Sequence, residues 1–255
     1  MVTSVGVLNV ILGIAYTSYG LITIWDMKRG WRTLGFSHFG AAWIAMAFTC
    51  GPHHLIHGSH VLFEGRAGGV LDVAAVAIGL PAGVAFLALR AEAMAGGRGD
   101  RFVSGTPSWL ALLPAAGGAY VAALIASMLQ TTGAITWPRQ VAPNVLLVVL
   151  YCMIGYYLTR TQLRNHPSSG GWSVSGLSLS VIFPTCALMH GVYAFYVATL
   201  LYQDIDYHGW IVDWVGVPAA IYFLWVVRGL YRQALRDWNR RMVDASPPQV
   251  VTVGR

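Results

Sequence analysis

The chain alternates between long apolar stretches and short polar segments, and this pattern predicts a membrane protein with several spans. A helix needs roughly 20 mostly apolar residues to cross a bilayer. Seven stretches are close to this length, and we number them spans 1 to 7 in chain order. The spans cover residues 4–25, 37–62, 69–91, 107–130, 143–160, 174–202 and 211–230. The sequence therefore predicts an all-α polytopic membrane protein with seven transmembrane helices.

The composition agrees with this prediction. The 255 residues are 56% hydrophobic and only 10% charged, and the mean hydropathy is +0.58. Soluble domains carry about 25% charged residues. We expect residues 1–244 to form a single seven-helix domain whose last helix extends into the cytoplasm, and residues 245–255 to form a C-terminal tail.

The net charge of +6 could suit nucleic acid, but the positions of the basic residues indicate membrane topology instead. They concentrate after spans 1, 3, 5 and 7, and basic residues stay on the cytoplasmic side of a membrane. We therefore expect the N-terminus outside and the C-terminus inside a cell membrane. The expected partner is the lipid bilayer, other membrane subunits are candidate partners, and no nucleic acid is expected. The basic residues after the odd-numbered spans are Lys28, Arg29, Arg32, Arg90, Arg98, Arg101, Arg160, Arg164, Arg228, Arg232, Arg236, Arg240 and Arg241.

Four of the eight histidines fall together in span 2, as His53, His54, His57 and His60. Ionisable residues are costly inside a bilayer, so such a cluster indicates a functional site. At about 100° per residue, His53, His57 and His60 lie on one helix face, and His54 lies about a quarter-turn away. Their i,i+3 and i,i+4 spacings allow two imidazoles on one helix to reach the same metal ion.

A second contribution is predicted from span 6. His190 lies about 25 Å from the inner end of its span at 1.5 Å per residue, and His53 lies about 24 Å from the inner end of span 2. Carboxylates and a further histidine near the outer ends could ligate a metal or orient a ligating imidazole. The predicted metal ligands are His53, His54, His57, His60, His190, Asp72, His208 and Asp213.

The side chains that could ligate a metal do not decide the identity of the cofactor. Imidazole suits zinc, copper and iron, and nearby cysteine or methionine would favour copper or iron over zinc. Haem b is the other candidate, with His57 and His190 as its axial ligands from two spans. A proton relay or a purely structural role for the histidines is a further possibility. A retinal Schiff base in the last span is excluded because the only lysine, Lys28, follows span 1.

Three functions fit these features. The first is an integral membrane metalloprotein with an outward-facing histidine site, acting as an oxidoreductase or as a redox subunit of a larger complex. The second is a transporter or channel for metal ions or protons. The third is a metal-free intramembrane enzyme that acts on a lipid or isoprenoid, with Glu64, Asp72 or Asp213 as the acid.

Overall fold

The structure is a computed structural model that describes residues 2–64, 70–105, 141–198 and 207–244. These residues are almost entirely helical, which confirms the predicted fold class. Span 4 (107–130) and the tail 245–255 lie outside the described residues. The elements are α1 (Val2–Leu34), α2 (His38–Phe63), α3 (Val70–Met94), β1 (Phe102–Val103), α4 (Val141–Ser169), β2 (Trp172–Ser173), α5 (Val174–Ala198) and α6 (Tyr207–Asp244).

Five of these six helices, all except α2, are long and apolar enough to cross a membrane. The protein is therefore a membrane protein in contact with lipid. α2 has 26 residues, which is enough to span a bilayer. Its four clustered histidines lower the hydropathy of its second half. The total of seven spans and the orientation of the chain stay predictions.

The six described helices pack as a closed ring. α1 contacts α2 and α3, α5 contacts α3 and α4, and α6 contacts α4 and α2. Aromatic side chains fill the middle of this ring. The Trp43 ring lies 5.4 Å from Phe86 and 5.6 Å from Phe223, and Phe183 stacks on Phe223 at 5.0 Å. We call Trp43, Phe86, Phe183 and Phe223 the aromatic cluster.

Glycines fix how α2 is rotated in the ring. A Cβ atom on Gly51 would lie 3.0 Å from the backbone nitrogen of Thr17, and one on Gly58 would lie 2.9 Å from the carbonyl oxygen of Gly6. Only glycine permits such a close approach of two backbones. Because Gly51 and Gly58 face α1, His54 also faces α1, whereas His53 lies about 100° further round and points to the middle of the ring.

The ends of α3 and α4 are joined by a small polar structure. β1 pairs antiparallel with β2, with Phe102 opposite Ser173. Asp100 accepts hydrogen bonds from the Ser173 hydroxyl at 2.6 Å and from the backbone N–H of Ser175 at 2.9 Å. Partial burial acts to raise the pKa of the Asp100 carboxyl, but hydrogen bonds from Ser173, Ser175 and Arg101 outweigh it and lower that pKa. The carboxylate thus caps the first turn of α5 from outside the helix.

We expect Asp100→Ala to lower the melting temperature at neutral pH, because losing a helix cap costs about 1 kcal/mol. A carboxyl whose pKa is lowered by folding stabilises the protein above its unfolded pKa and loses this effect as the pH falls through its folded pKa. The difference from wild type should therefore be present at pH 7 and shrink well below pH 4. Thermal unfolding in detergent micelles measures it, with the exposed Asp26→Ala as control; equal melting temperatures at pH 7 would contradict the cap.

Candidate functional site

Three side chains from three helices converge beside the middle of the ring. His53 of α2, His190 of α5 and Asp213 of α6 each offer an atom that could ligate a metal, and these atoms all lie within 4.8 Å of one another. His53 Nδ1 is 2.8 Å and His190 Nδ1 is 3.8 Å from Asp213 Oδ1. The two imidazole rings are 4.9 Å apart. The depth comparison between spans 2 and 6 thus points to two residues that are neighbours in the structure.

Asn144 of α4 holds two members of this group in place. Its Nδ2 donates a hydrogen bond to Asp213 Oδ2 at 2.7 Å, and its Oδ1 lies 2.5 Å from His190 Nδ1. An amide oxygen only accepts, so His190 donates from Nδ1. This bond leaves Nε2 as the nitrogen of His190 with a lone pair. Asn144 is fully buried, and it fixes the orientation of both the carboxylate and the imidazole.

Two atoms of the group are buried without a hydrogen bond. His53 Nδ1 and Asp213 Oδ1 lie close together, but the direction between them is not that of a hydrogen bond, and neither atom has a hydrogen-bond partner among the described residues. Asp213 is only 1% exposed. A buried carboxylate oxygen without a hydrogen bond costs roughly 1–3 kcal/mol. A cation bound by both atoms would offset this cost.

His54 contacts α1 in this structure, and its role as a metal ligand stays a prediction. Its Nδ1 lies 2.8 Å from Oδ1 of Asn9 in α1, and its ring meets the edge of Tyr16 at 5.2 Å. The amide nitrogen of Asn9 in turn donates to the Val5 carbonyl at 2.9 Å. His54 is thus buried against α1 and directed away from the three converging side chains. The sequence signal for this contact is Asn9, an amide in an otherwise apolar span.

The other predicted ligands lie outside the group of three. The His57 ring packs 6.4 Å from Tyr193, one turn beyond His53. His60 Nε2 lies 3.7 Å from the Glu64 carboxylate on its own helix. Asp72 is buried near the start of α3, a helix that packs against α1 and α5. His208 falls in the first turn of α6, and its side chain lies outside the described residues.

Sequence reasoning missed Asn144 and Tyr151 as parts of the site. Tyr151 packs against His190 with ring centres 5.4 Å apart. Asn144 could have been found by the argument used for the histidines, because a buried amide in an apolar span also needs a partner. No pattern in the sequence distinguishes Tyr151 from the other aromatic residues of the bundle.

We expect Asn144→Ala to lower the free energy of unfolding by about 1–3 kcal/mol, because it leaves buried groups on Asp213 and His190 without partners. Asn165→Ala is a matched control, since Asn165 lies on the same helix but is exposed. Thermal unfolding of both variants in detergent micelles measures the effect. If Asn144→Ala melts at the same temperature as the control, Asn144 does not hold the site together.

Comparison with known proteins gives no relative of this chain. No family model, no curated protein and no solved structure matches it. The function is therefore inferred from the geometry and chemistry of His53, His190 and Asp213.

Proposed function

We propose that the protein is an integral membrane metalloprotein that binds one divalent transition metal ion through His53, His190 and Asp213. We further propose that it acts as an oxidoreductase, or as the redox subunit of a membrane complex. The observation that carries this proposal is the pair of buried atoms without hydrogen bonds, His53 Nδ1 and Asp213 Oδ1. An ion that both atoms ligate would provide the missing partner.

The distances suit a single ion. Nitrogen and oxygen ligands lie about 2.0–2.2 Å from such an ion, so two ligands of a tetrahedral site are about 3.3 Å apart. The 2.8 Å between His53 Nδ1 and Asp213 Oδ1 is close to that value. His190 would ligate through Nε2, because its Nδ1 donates to Asn144. Small side-chain rotations would bring the three residues to full ligation.

The distance between the rings favours one ion over haem b. Two imidazoles on one tetrahedral ion have ring centres about 5 Å apart. The two axial imidazoles of a haem lie on opposite sides of the iron, with ring centres about 6 Å apart. The 4.9 Å between His53 and His190 agrees with the first arrangement. His57, the other predicted axial ligand, packs against Tyr193.

The donor set narrows the choice of metal. Two histidines and one carboxylate with open positions are typical of non-haem Fe(II) enzymes, and they also occur in catalytic zinc sites. Iron and copper can change oxidation state, whereas zinc cannot. Among these metals we favour iron for a redox role, because the three donors are nitrogen and oxygen without sulfur. The remaining coordination positions would take water, dioxygen or a substrate.

A site open to one side of the membrane fits better than a transport path. Trp43 is ten residues before His53 in α2 and therefore lies about 15 Å away along the helix axis. At that level the aromatic cluster fills the middle of the described ring. A transporter for metal ions or protons needs polar groups along the whole crossing. The aromatic cluster offers only the indole N–H of Trp43, which supports a redox site over a channel.

We also propose that this site faces the outside, with the N-terminus outside, the C-terminus inside and seven spans in the cell membrane. The pairing of β1 with β2 supports this topology, because it means that α3 and α4 end on the same side. Arg90, Arg98 and Arg101 lie near the end of α3, and Arg160 and Arg164 lie near the end of α4. Clustered arginines favour the cytoplasmic side of a membrane, which supports the proposed orientation.

Labelling with a membrane-impermeant maleimide tests the orientation. We expect Thr3→Cys to react in intact cells and Ser169→Cys to react only after permeabilisation. The parent chain, with its three cysteines inside helices, gives the background. The reverse pattern would contradict the proposed orientation, and it would have no bearing on the proposed metal site.

Metal analysis tests the function directly. We expect the purified protein to carry about one iron, copper or zinc ion per chain, and the ion to raise the melting temperature, since a ligand at 100 times its Kd stabilises by about 2.7 kcal/mol. Asp213→Asn and His190→Ala should each lose the ion and the temperature shift. His60→Ala should keep both, because His60 lies outside the group of three.

Two results would overturn this proposal. One is a protein that carries no metal after reconstitution with Fe(II), Cu(II) or Zn(II) and shows no temperature shift. The other is full metal content in Asp213→Asn. A Soret band in the absorption spectrum would favour haem over a single ion.

A further inference from the structure

Two cysteines lie one helical turn deeper than the two histidines of the site. Cys50 precedes His53 by three residues in α2, and Cys186 precedes His190 by four residues in α5. A helical turn is 3.6 residues and 5.4 Å, so each cysteine lies on roughly the same face as its histidine and about 5 Å nearer the aromatic cluster. Both cysteines line one cavity, which borders Trp43 and Phe183 of the aromatic cluster.

Each of these thiols also has a tyrosine hydroxyl beside it. Tyr151 Oη lies 3.2 Å from Cys50 Sγ, and Tyr16 Oη lies 3.6 Å from Cys186 Sγ. A phenolic O–H can donate to sulfur, and such a bond stabilises a thiolate. The rest of the cavity is apolar and includes the thioether of Met46. Two thiols from helices that are not neighbours in the ring therefore line one largely apolar cavity.

We propose that Cys50 and Cys186 form a second metal site, which takes a soft monovalent ion of the Cu(I) class. Thiolate and thioether donors select Cu(I), whereas carboxylates and waters select harder ions. Two sulfur ligands are enough for a monovalent ion of this class. Two thiolates leave one negative charge, to which the hydroxyls of Tyr151 and Tyr16 can donate hydrogen bonds. The binding step is an exchange without oxidation, in which two S–H bonds break, two sulfur–metal bonds form, and two protons leave.

This site does not depend on the proposed divalent site. Its donors are sulfur and not nitrogen or oxygen, and the group of three that could hold one ion contains neither cysteine. Ordinary packing, in which a thiol behaves as a small apolar side chain, would account for one buried cysteine. It does not account for two thiols that line one cavity and each contact a hydroxyl group.

Titration with Ag(I), a redox-inert probe for Cu(I), tests the second site on the full-length reduced protein in detergent. We expect one tightly bound Ag(I) per chain, with sulfur neighbours in its X-ray absorption spectrum. Cys50→Ser and Cys186→Ser should each weaken binding at least tenfold. Cys152→Ser is the matched control, because Cys152 does not line the cavity, and it should bind Ag(I) as the wild type does.

The outcomes separate this proposal from the divalent site. Asp213→Asn should keep Ag(I) binding even where it loses the divalent ion. Wild-type Ag(I) affinity in both Cys50→Ser and Cys186→Ser would overturn the second site, and so would loss of binding in Cys152→Ser. Where a serine variant fails to fold, as judged by gel filtration and circular dichroism, the alanine variant at the same position replaces it under the same criteria.

Discussion

A single buried carboxylate, that of Asp213, determines which polar partners the surrounding helices must supply. Asp213 is 1% exposed, and an ion in such a place costs several kcal/mol unless its charge is paired and its oxygens are hydrogen-bonded. Asn144 satisfies one oxygen. The other oxygen faces His53 and His190. The positions of α2, α4 and α5 around α6 can therefore be understood as the arrangement that brings partners to this carboxylate.

The close packing of α1 and α2 serves the same requirement. Without side chains at Gly51 and Gly58, the two backbones approach until a Cβ atom would clash with the opposite helix. This contact permits only one rotational position of α2 about its own axis. Rotation of α2 by about 100° would bring His53 to the position of His54, so the imidazole that meets Asp213 would meet Asn9 instead. The glycines thus determine which of two adjacent histidines enters the site.

The sequence predicts the helical class, the helix positions and the similar depth of His53 in α2 and His190 in α5. It can do so because hydrophobic periodicity and axial rise are local properties. It also places His190 near the histidines of span 2. It could not separate His53 from His54, His57 and His60, since that choice depends on a contact between α1 and α2. Asp213 and Asp72 look alike in sequence, as acidic residues near the start of a span. Only the order of helices around the ring shows that α6 borders α2 and that α3 does not.

The contrast between the two halves of the bundle bears on what the site can do. Polar groups are concentrated from Asp213 outward, while Trp43, Phe86, Phe183 and Phe223 close the middle of the ring with rings 5.0–5.6 Å apart. An ion bound at Asp213 would have to shed its ligands to pass such a cluster, at the large desolvation cost of a charge in apolar surroundings. An electron would meet no such barrier, because it needs neither a polar path nor space. The proposed metal, held on one side of this aromatic layer, would therefore be better suited to redox chemistry than to transport.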